Sequence, residues 1–383
     1  MAKILFLLNE SPPNREKYYC KDPITVSNFV YPNSMVLKDM GIEQYMGISR
    51  KYATSIECVN APIKFLDIPI YRNIFDVKNI LIAYIRINKY LKKLQIDYIH
   101  CNTPIGGFLG RVCGKRSKLK KIIYTAHGFH FYKGAPFINW LLFYPIERFL
   151  ARWTDVLITM NEEDYRRAKR FKLRTNGKIY KINGIGIDLS QINKKCGNHE
   201  KLYSELGLKN DCIIVISVGD LNKNKNNIMV IDALAKLRNP RINYVICGVG
   251  PKYNYLQKKV KKYGLEQQVH FLGFRNNIIE LLKTSDIFIL PSRREGLPRS
   301  LMEAMACGLP CIANRIRGAE DLISHGVNGF LCEKKNLVDF IQILIQDQLL
   351  AEAFSIQSTL IIKDFDVLKI IESLRRIYLL FSE

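Results

Sequence analysis

Short apolar segments alternate with helix-like segments along most of this 383-residue chain, and the alternation occurs in two successive series. Strands that are apolar on both faces are typical of parallel sheets, because helices cover both faces of such a sheet. Two series in one chain therefore predict an α/β protein with two doubly wound, Rossmann-like domains. The predicted strands are residues 3–8, 44–49, 97–101, 121–127, 155–160 and 178–183, then 212–219, 243–250, 269–273, 286–292, 310–314 and 329–333.

The domain boundaries are predicted from length and polarity. A chain of 383 residues exceeds what one hydrophobic core commonly serves, so two domains are expected. The polar segment 188–206 interrupts the apolar pattern and is predicted to be the linker. These features give an N-terminal domain of residues 1–188 and a C-terminal domain of residues 189–365. The helix-like end of the chain, from about residue 366 to 383, is predicted to return to the first domain.

The charge of the chain points to a negatively charged partner. Its 58 Lys and Arg residues against 35 Asp and Glu residues give a net charge of +23. Nucleic acid, an anionic membrane surface and phosphorylated small molecules all fit this charge. No basic and aromatic recognition module is visible, so nucleic acid is not expected. Ten cysteines without regular spacing, and no long apolar run or cleavable leader, favour a cytoplasmic protein with reduced thiols.

The segment "REGLPRSLMEAMACGLPC" (294–311) places two acids around a predicted helix start. It follows the strand-like "DIFILPS", whose end is expected to deliver Ser292 to a ligand site. Glu295 then lies in the loop, Pro298 is predicted at the first helical position, and Gly308 is placed to end the helix.

The start of this predicted helix suits an anion. Backbone N–H groups near Gly296, Leu297, Arg299 and Ser300 are expected to point outward, as in phosphate sites. Arg299 adds a fixed positive charge at the same end. Glu303 lies one turn further in, where its carboxylate can accept hydrogen bonds from the vicinal hydroxyls of a ribose. Two plainer interpretations stay open: a helix-dipole acid for Glu303, and a surface loop residue for the other glutamate.

The same segment carries a family resemblance. "REGLPRSLMEAMACGLPCIA", followed by "GAEDLISHGVNGFL", resembles the signature of the retaining glycosyltransferases of family 4, which have the GT-B fold. The likeness is strongest to bacterial enzymes of capsule and exopolysaccharide assembly. "SVGDLNKNKN" (217–226) and "TAHGFHF" (125–131) agree with this family in order along the chain. The resemblance implies two Rossmann-like domains that face a cleft.

The resemblance also implies residue roles. Glu303 would bind the nucleotide ribose, and Glu295 the hydroxyls of the donor sugar. Lys225 would neutralise the diphosphate together with Arg299 and the helix start at Gly296 and Leu297. His127 would act on the sugar or its phosphate from the acceptor side, so that His127 and Glu295 are the candidate catalytic residues.

Two departures from the family pattern affect these roles. Asp220 stands where many members have an arginine that binds phosphate, and an aspartate there would repel a diphosphate. The segment 9–23, "NESPPNREKYYCKDP", replaces a glycine pair that many relatives use to approach the donor.

The implied reaction is retaining transfer of a hexosyl or N-acetylhexosaminyl group from a nucleotide-diphosphate sugar, with UDP as the expected carrier. The acceptor would be a lipid-linked saccharide of capsular, exopolysaccharide or O-antigen synthesis, at the inner face of the bacterial plasma membrane. No cofactor and no metal are expected, because the one Asp-x-Asp triplet, Asp364 to Asp366, lies in the helical C-terminal part. The alternative is a non-catalytic sugar-nucleotide-binding or scaffold protein of the same pathway.

The segment 137–153 allows two interpretations. Its apolar sequence "FINWLLFYPIERFLARW" contains both tryptophans, Trp140 and Trp153. Such a segment fits a contact with the membrane interface, and it also fits a core helix pair interrupted by Pro145. The net charge slightly favours peripheral association with anionic lipids.

Overall fold

The computed structural model describes residues 1–8, 30–48, 61–71, 73–209 and 211–379. The chain forms two compact units. The first unit contains residues Met1–Gly186 and Val367–Glu383, and the second contains Ile187–Asp366. The sequence-based boundaries lie at residues 188/189 and 365/366, within two residues of this division.

The first unit is built around a seven-stranded sheet with the strand order β3-β2-β1-β4-β5-β6-β7. All neighbouring strands in it are parallel. Its elements, in chain order, are β1 (Lys3–Leu7), α1 (Tyr31–Asp39), β2 (Glu43–Ile48), β3 (Ile63–Asp67), α2 (Val77–Lys93), β4 (Tyr98–Asn102), α3 (Pro104–Arg116), β5 (Lys121–Ala126), α4 (Phe137–Ala151), β6 (Val156–Thr159), α5 (Glu162–Ala168) and β7 (Lys178–Lys181).

The second unit contains a six-stranded parallel sheet with the order β10-β9-β8-β11-β12-β13. A short 3-10 helix, Lys334–Asn336, precedes α13, and another, Ile362–Phe365, follows α14. The other elements are α6 (Leu189–Lys194), α7 (His199–Leu206), β8 (Ile213–Val218), α8 (Ile228–Leu237), β9 (Ile242–Cys247), α9 (Tyr253–Tyr263), β10 (Val269–Gly273), α10 (Ile278–Lys283), β11 (Ile287–Leu290), α11 (Arg299–Ala306), β12 (Cys311–Asn314), α12 (Arg317–Glu320), β13 (Phe330–Cys332), α13 (Leu337–Gln346) and α14 (Gln348–Ile361).

The last helix, α15 (Val367–Leu379), belongs to the first unit, as predicted. Ile370, Leu374 and Ile377 bury one side of it. Parallel sheets of seven and six strands, each with buried apolar strands, confirm the predicted α/β class with two Rossmann-like domains. No helix in the described ranges combines the length and the hydrophobicity that crossing a bilayer requires.

Two local predictions were wrong. The edge strand β3 was missed, because "IKFLD" is short and carries a charged residue at its second and last positions. The predicted linker 188–206 instead folds as α6 and α7, whose Ile192 and Leu202 are buried in the second unit. One of the two interpretations of segment 137–153 was a helix pair; the structure has a single helix, Phe137–Ala151, with Pro145 inside it.

The last helix is joined to the first sheet by a buried hydrogen-bond chain. His100 on β4 is fully buried, with its Nδ1 2.7 Å from the hydroxyl of Tyr378 and its Nε2 2.7 Å from Oγ1 of Thr125. The Tyr378 hydroxyl donates to Oδ1 of Asn33 at 2.9 Å. Burial lowers the pKa of His100 to about 3, with a smaller contribution from the charge of His127. The imidazole is therefore neutral in the folded protein over the whole physiological range.

This buried histidine predicts a pH-dependent stability. The unfolded chain protonates His100 below about pH 6.5, whereas the folded chain resists protonation down to about pH 3, so stability falls as the pH is lowered through this window. His100 contributes a slope of about 1.4 kcal/mol per pH unit there. Both tryptophans lie in the first unit, so their fluorescence in urea titrations between pH 5 and pH 7 reports its unfolding. We expect His100→Gln to flatten the pH dependence; an unchanged slope would contradict the assignment.

Candidate active site

The second unit brings Lys225 and Glu295 together at the point where its strand order reverses. β8 and β11 are neighbours, but the chain leaves β8 towards β9 and leaves β11 towards β12, so a crevice opens at their carboxyl ends. Lys225 lies in the loop after β8, and Glu295 in the loop after β11. Their side chains form an ion pair, Nζ to Oε1, at 2.9 Å, with 22% and 17% of the side chains exposed. Residues 70 positions apart thus meet where a doubly wound sheet binds its ligand.

Helix α11 begins beside this pair. Pro298 is the N-cap in an extended conformation rather than the first helical residue, and Arg299 is the first. Within the described residues, the backbone N–H groups of Gly296, Leu297, Arg299 and Ser300 have no hydrogen-bond acceptor. Four such donors at a helix start form the kind of site that binds phosphate.

Arg299 and Glu303 form a second ion pair on the first turns of α11. Nε of Arg299 lies 2.8 Å from Oε1 of Glu303, in an i,i+4 pair. The carboxylate is 16% exposed and the guanidinium group 40%. This pairing holds the arginine at the helix start and leaves the second carboxylate oxygen of Glu303 for other donors. The helix ends as predicted, with Gly308 in the left-handed conformation at φ +74°.

Close contacts between backbone segments at three glycines hold the loops around these side chains in place. A Cβ on Gly248 would lie 1.9 Å from the carbonyl oxygen of Gly219, and one on Gly318 would lie 2.3 Å from that of Gly296. Gly219 itself has φ +146° and lies against Lys225, since a Cβ there would be 2.8 Å from the lysine Cε. Gly248 and Gly250, in the segment "CGVGP" (247–251), therefore serve the close contact between loops.

Several residues of this site were missed in the sequence. The backbone N–H of Arg293 donates to the carbonyl of Asn224 at 2.8 Å, and the Asn224 amide donates to the carbonyl of Arg294 at 2.8 Å. Nε of Arg317 donates to the carbonyl of Glu295 at 3.2 Å. These bonds tie the loop that carries Glu295 to the loop after β8 and to α12. Their only sequence signal is a polar run after a strand, which is common in loops.

Two buried polar atoms face the same crevice. Ser292 was expected at a ligand site; it is fully buried, and its Oγ has no partner among the described residues. Oδ1 of Asn227 is likewise buried and without a partner, although its Nδ2 donates to the hydroxyl of Tyr244 at 3.1 Å. Both residues line a pocket together with Gly219 and Lys225.

His127 lies in the first unit, directly after β5. Its Nε2 is 2.9 Å from Oδ1 of Asn102, and its Nδ1 is 3.2 Å from Sδ of Met160. An amide oxygen can only accept, so Nε2 carries the proton in this arrangement. Asn102, at the end of β4, is a positioning residue that sequence reasoning missed.

Asp220 and the segment 9–23 are the two departures from the family pattern. Asp220 is exposed and directly follows Gly219, in the same loop as Lys225. The segment 9–23 lies outside the described residues. Asp364 lies in the 3-10 helix Ile362–Phe365, and Asp366 forms a bridge with Ile187. In the described part of the chain, no three His, Cys, Asp or Glu residues are grouped to bind a metal ion.

Comparisons with known proteins agree with this architecture. The family described as "Glycosyl transferases group 1" matches residues 198–359, and the family "Glycosyl transferase 4-like" matches residues 50–161. The putative glycosyltransferase EpsD of Bacillus subtilis is 40% identical over 269 residues, which are 69% of this chain and 70% of that protein. Two Rossmann-like units with parallel sheets of seven and six strands, together with these matches, place the chain in the GT-B class of sugar-transferring enzymes. This chain belongs to the group 1 glycosyltransferases.

Two further proteins extend the comparison. A galactosyltransferase of Escherichia coli, named UDP-Gal:alpha-D-GlcNAc-diphosphoundecaprenol alpha-1,3-galactosyltransferase, is 29% identical over 320 residues, 80% of this chain and 81% of that one. The crystal structure of Anabaena Alr3699/HepE with UDP-glucose has a TM-score of 0.78 at 21% identity and covers 100% of both chains. At that identity the crystal structure supports the fold alone.

Proposed function

We propose that this glycosyltransferase moves a sugar from a UDP-sugar to a lipid-linked saccharide, with retention of configuration, in the synthesis of a bacterial surface polysaccharide. The observation that carries the proposal is the meeting of Lys225, Glu295 and the open start of α11 at one strand-order reversal. The names of the relatives support the substrate classes. The Escherichia coli relative is named for UDP-Gal and a diphosphoundecaprenol acceptor, and Alr3699/HepE was crystallised with UDP-glucose.

In the proposed donor site, different groups bind the diphosphate, the ribose and the sugar of the nucleotide sugar. The N–H groups of residues 296, 297, 299 and 300 and the Lys225 ammonium bind the diphosphate, because both supply positive potential. Glu303 accepts hydrogen bonds from the ribose hydroxyls, and Glu295 from the hydroxyls of the sugar. Arg299 keeps the Glu303 carboxylate oriented through their 2.8 Å contact.

The proposed chemistry relies on positioning and electrostatics rather than on a protein nucleophile. Glu295 and Glu303 are each engaged by a cation, which suits carboxylates that bind and orient. The bond between the anomeric carbon and the diphosphate breaks, and the leaving oxygen takes the electron pair. The acceptor oxygen attacks the same face and passes its proton to that phosphate oxygen. Lys225 and the helix start stabilise the charge that develops on the diphosphate.

His127 keeps its predicted role within this proposal. Its imidazole, held by Asn102 through Nε2, contacts the transferred sugar or its phosphate. Asp220 is proposed to weaken the attraction of the site for a diphosphate, and the four N–H donors at α11 offset that loss.

Turnover with labelled nucleotide sugars tests the proposed function. The purified chain, membrane extract as the source of acceptor and a panel of UDP- and GDP-sugars should give incorporation of label into the lipid fraction from at least one UDP-sugar. A thermal-shift screen of the same donors should show stabilisation by that sugar nucleotide. Donor binding without any transfer would instead support the non-catalytic binder or scaffold of the same pathway.

The same assay tests metal independence. We propose that the cations of the protein replace a metal ion at the diphosphate, so activity should persist in excess chelator. Loss of activity in chelator that divalent cations restore would contradict this part of the proposal.

The proposed location follows from the acceptor. We propose that the lipid-linked acceptor and the nucleotide-sugar donor meet at the cytoplasmic face of the membrane, where the chain associates peripherally.

A further inference from the structure

Helix α4 turns its apolar side outward. At about 3.6 residues per turn, six large apolar side chains fall on one half of its circumference. Each of them is between 44% and 79% exposed. The structure describes every residue of α4, and Arg148 is the one charged residue on that half of the helix. We call these six side chains the α4 outer face: Phe137, Ile138, Leu141, Leu142, Ile146 and Phe149.

The inward side of the same helix carries its acid. Glu147 is buried, and its Oε2 lies 2.8 Å from Nη1 of Arg111 on α3, which is itself 1% exposed. The Arg111 guanidinium also stacks over the ring of Tyr124 at 4.0 Å. An ordinary surface helix buries its apolar stripe and exposes its charges. This helix exposes six large apolar side chains and buries its one acid, so its outer face is suited to surroundings less polar than water.

The neighbouring helices share this character. Side chains of α2, α3 and α4 pack into one core cluster, so these helices cover the same side of the first sheet. The three helices together contain nine Lys and Arg residues and one acid, the buried Glu147. On α2, Val77, Leu81 and Ile85 repeat every fourth residue and are each more than half exposed. Arg111 is buried and Arg86 pairs with Asp67 of β3, and the side chains that the three helices themselves expose are apolar, polar or cationic.

We propose that the α4 outer face, with the basic residues of α2 and α3 around it, docks on the surface of an anionic lipid bilayer. Apolar side chains enter the boundary between headgroups and acyl chains, while arginines and lysines keep their charges at anionic headgroups. A second copy of the chain is a poorer occupant, because two identical cationic layers repel each other. This docking deepens the proposed peripheral location, and its test needs no sugar substrate, so its failure leaves the transferase assignment untouched.

Vesicle co-sedimentation tests the docking directly. The full chain should sediment with vesicles of phosphatidylglycerol and phosphatidylethanolamine, and far less with vesicles of phosphatidylcholine. Leu141→Glu and Phe149→Glu should each lower the apparent affinity at least tenfold, since each places a carboxylate among anionic headgroups. Arg148→Gln should lower it by about fivefold. Trp153, whose ring is 4.9 Å from that of Phe149, should shift its emission to the blue on binding.

Matched variants keep the result interpretable. Leu349→Glu changes a leucine that is 79% exposed in the second unit and should sediment like the unaltered chain. Urea unfolding followed by tryptophan fluorescence checks that the α4 variants remain folded. Equal binding of folded Leu141→Glu and of the unaltered chain would overturn the proposal. A different result would assign the α4 outer face to a second copy of the chain. In that case the unaltered chain would not bind vesicles but would form a concentration-dependent dimer, and Leu141→Glu would abolish the dimer.

Discussion

Replacing Lys225 with alanine is expected to lower kcat/KM for sugar transfer by roughly 10²- to 10³-fold, the usual loss when one preorganised group that stabilises developing charge is removed. The Lys225 ammonium lies at the strand-order reversal, 2.9 Å from Glu295 and against Gly219. Most of the loss should appear in kcat, because the charge on the diphosphate is largest as the sugar leaves.

Lys223→Ala is the matched control for this substitution. Lys223 lies two residues earlier in the same loop, is exposed, and makes no ion pair among the described residues. The Lys223→Ala substitution removes the same charge from the same loop. If the loss of activity came only from a lower positive potential, kcat/KM would fall equally in both variants. An Lys225→Ala enzyme with near-normal kcat/KM would remove the proposed role of the lysine.

Substitutions of the two glutamates should have different effects on the binding of UDP alone. Glu303→Ala is expected to weaken UDP binding by roughly 10- to 100-fold, since it removes hydrogen bonds between a carboxylate and the ribose. Glu295→Ala should leave UDP binding unchanged or tighter, because it removes the carboxylate that engages Lys225. Transfer of the sugar should nevertheless fall at least 100-fold in Glu295→Ala if its carboxylate positions the sugar.

Isothermal titration with UDP, followed by turnover with the UDP-sugar, measures both halves of this contrast. Glu266→Ala, which changes an exposed glutamate in the same unit, provides the control. Weaker UDP binding in Glu295→Ala and normal binding in Glu303→Ala would exchange the two roles. Equal losses of UDP binding in both would mean that neither glutamate is specific to the ribose.

The architecture was predictable from the sequence because buried parallel strands are short and apolar throughout. The missed strand β3 lies at a sheet edge, where one neighbour and partial exposure allow charged residues. The segment 188–206 was misjudged for a related reason. Its helices α6 and α7 are mostly polar and are anchored by single residues, Ile192 and Leu202, which are too few to produce a clear period.

Individual site residues were less predictable than their elements. The two glutamates and Lys225 could be named from a motif, but their pairing could not, because the ion pair joins loops 70 residues apart. Asn224 and Arg317 act through the backbone carbonyls of the Glu295 loop, and such contacts leave no characteristic pattern in one sequence.

The hydrophobic pattern of α4 also could not predict which side of the helix faces outward. Its sequence is apolar on nearly every side, so a buried helix and an interfacial one have the same pattern. What distinguishes them is the direction of Glu147, which a partner on another helix, Arg111, determines. Long-range pairing of this kind appears only when the fold is known.

The position of α15 has a consequence for biosynthesis. His100 and Asn33 gain their buried hydrogen bonds to the Tyr378 hydroxyl only when α15 arrives, and residues 187–366 are synthesised in between. Domains commonly fold in order as they leave the ribosome. Here the unit that is synthesised first is finished last. The second unit must emerge while the first sheet still lacks its final helix, and a chain truncated before residue 367 leaves His100 on β4 and Asn33 on α1 without the Tyr378 hydroxyl.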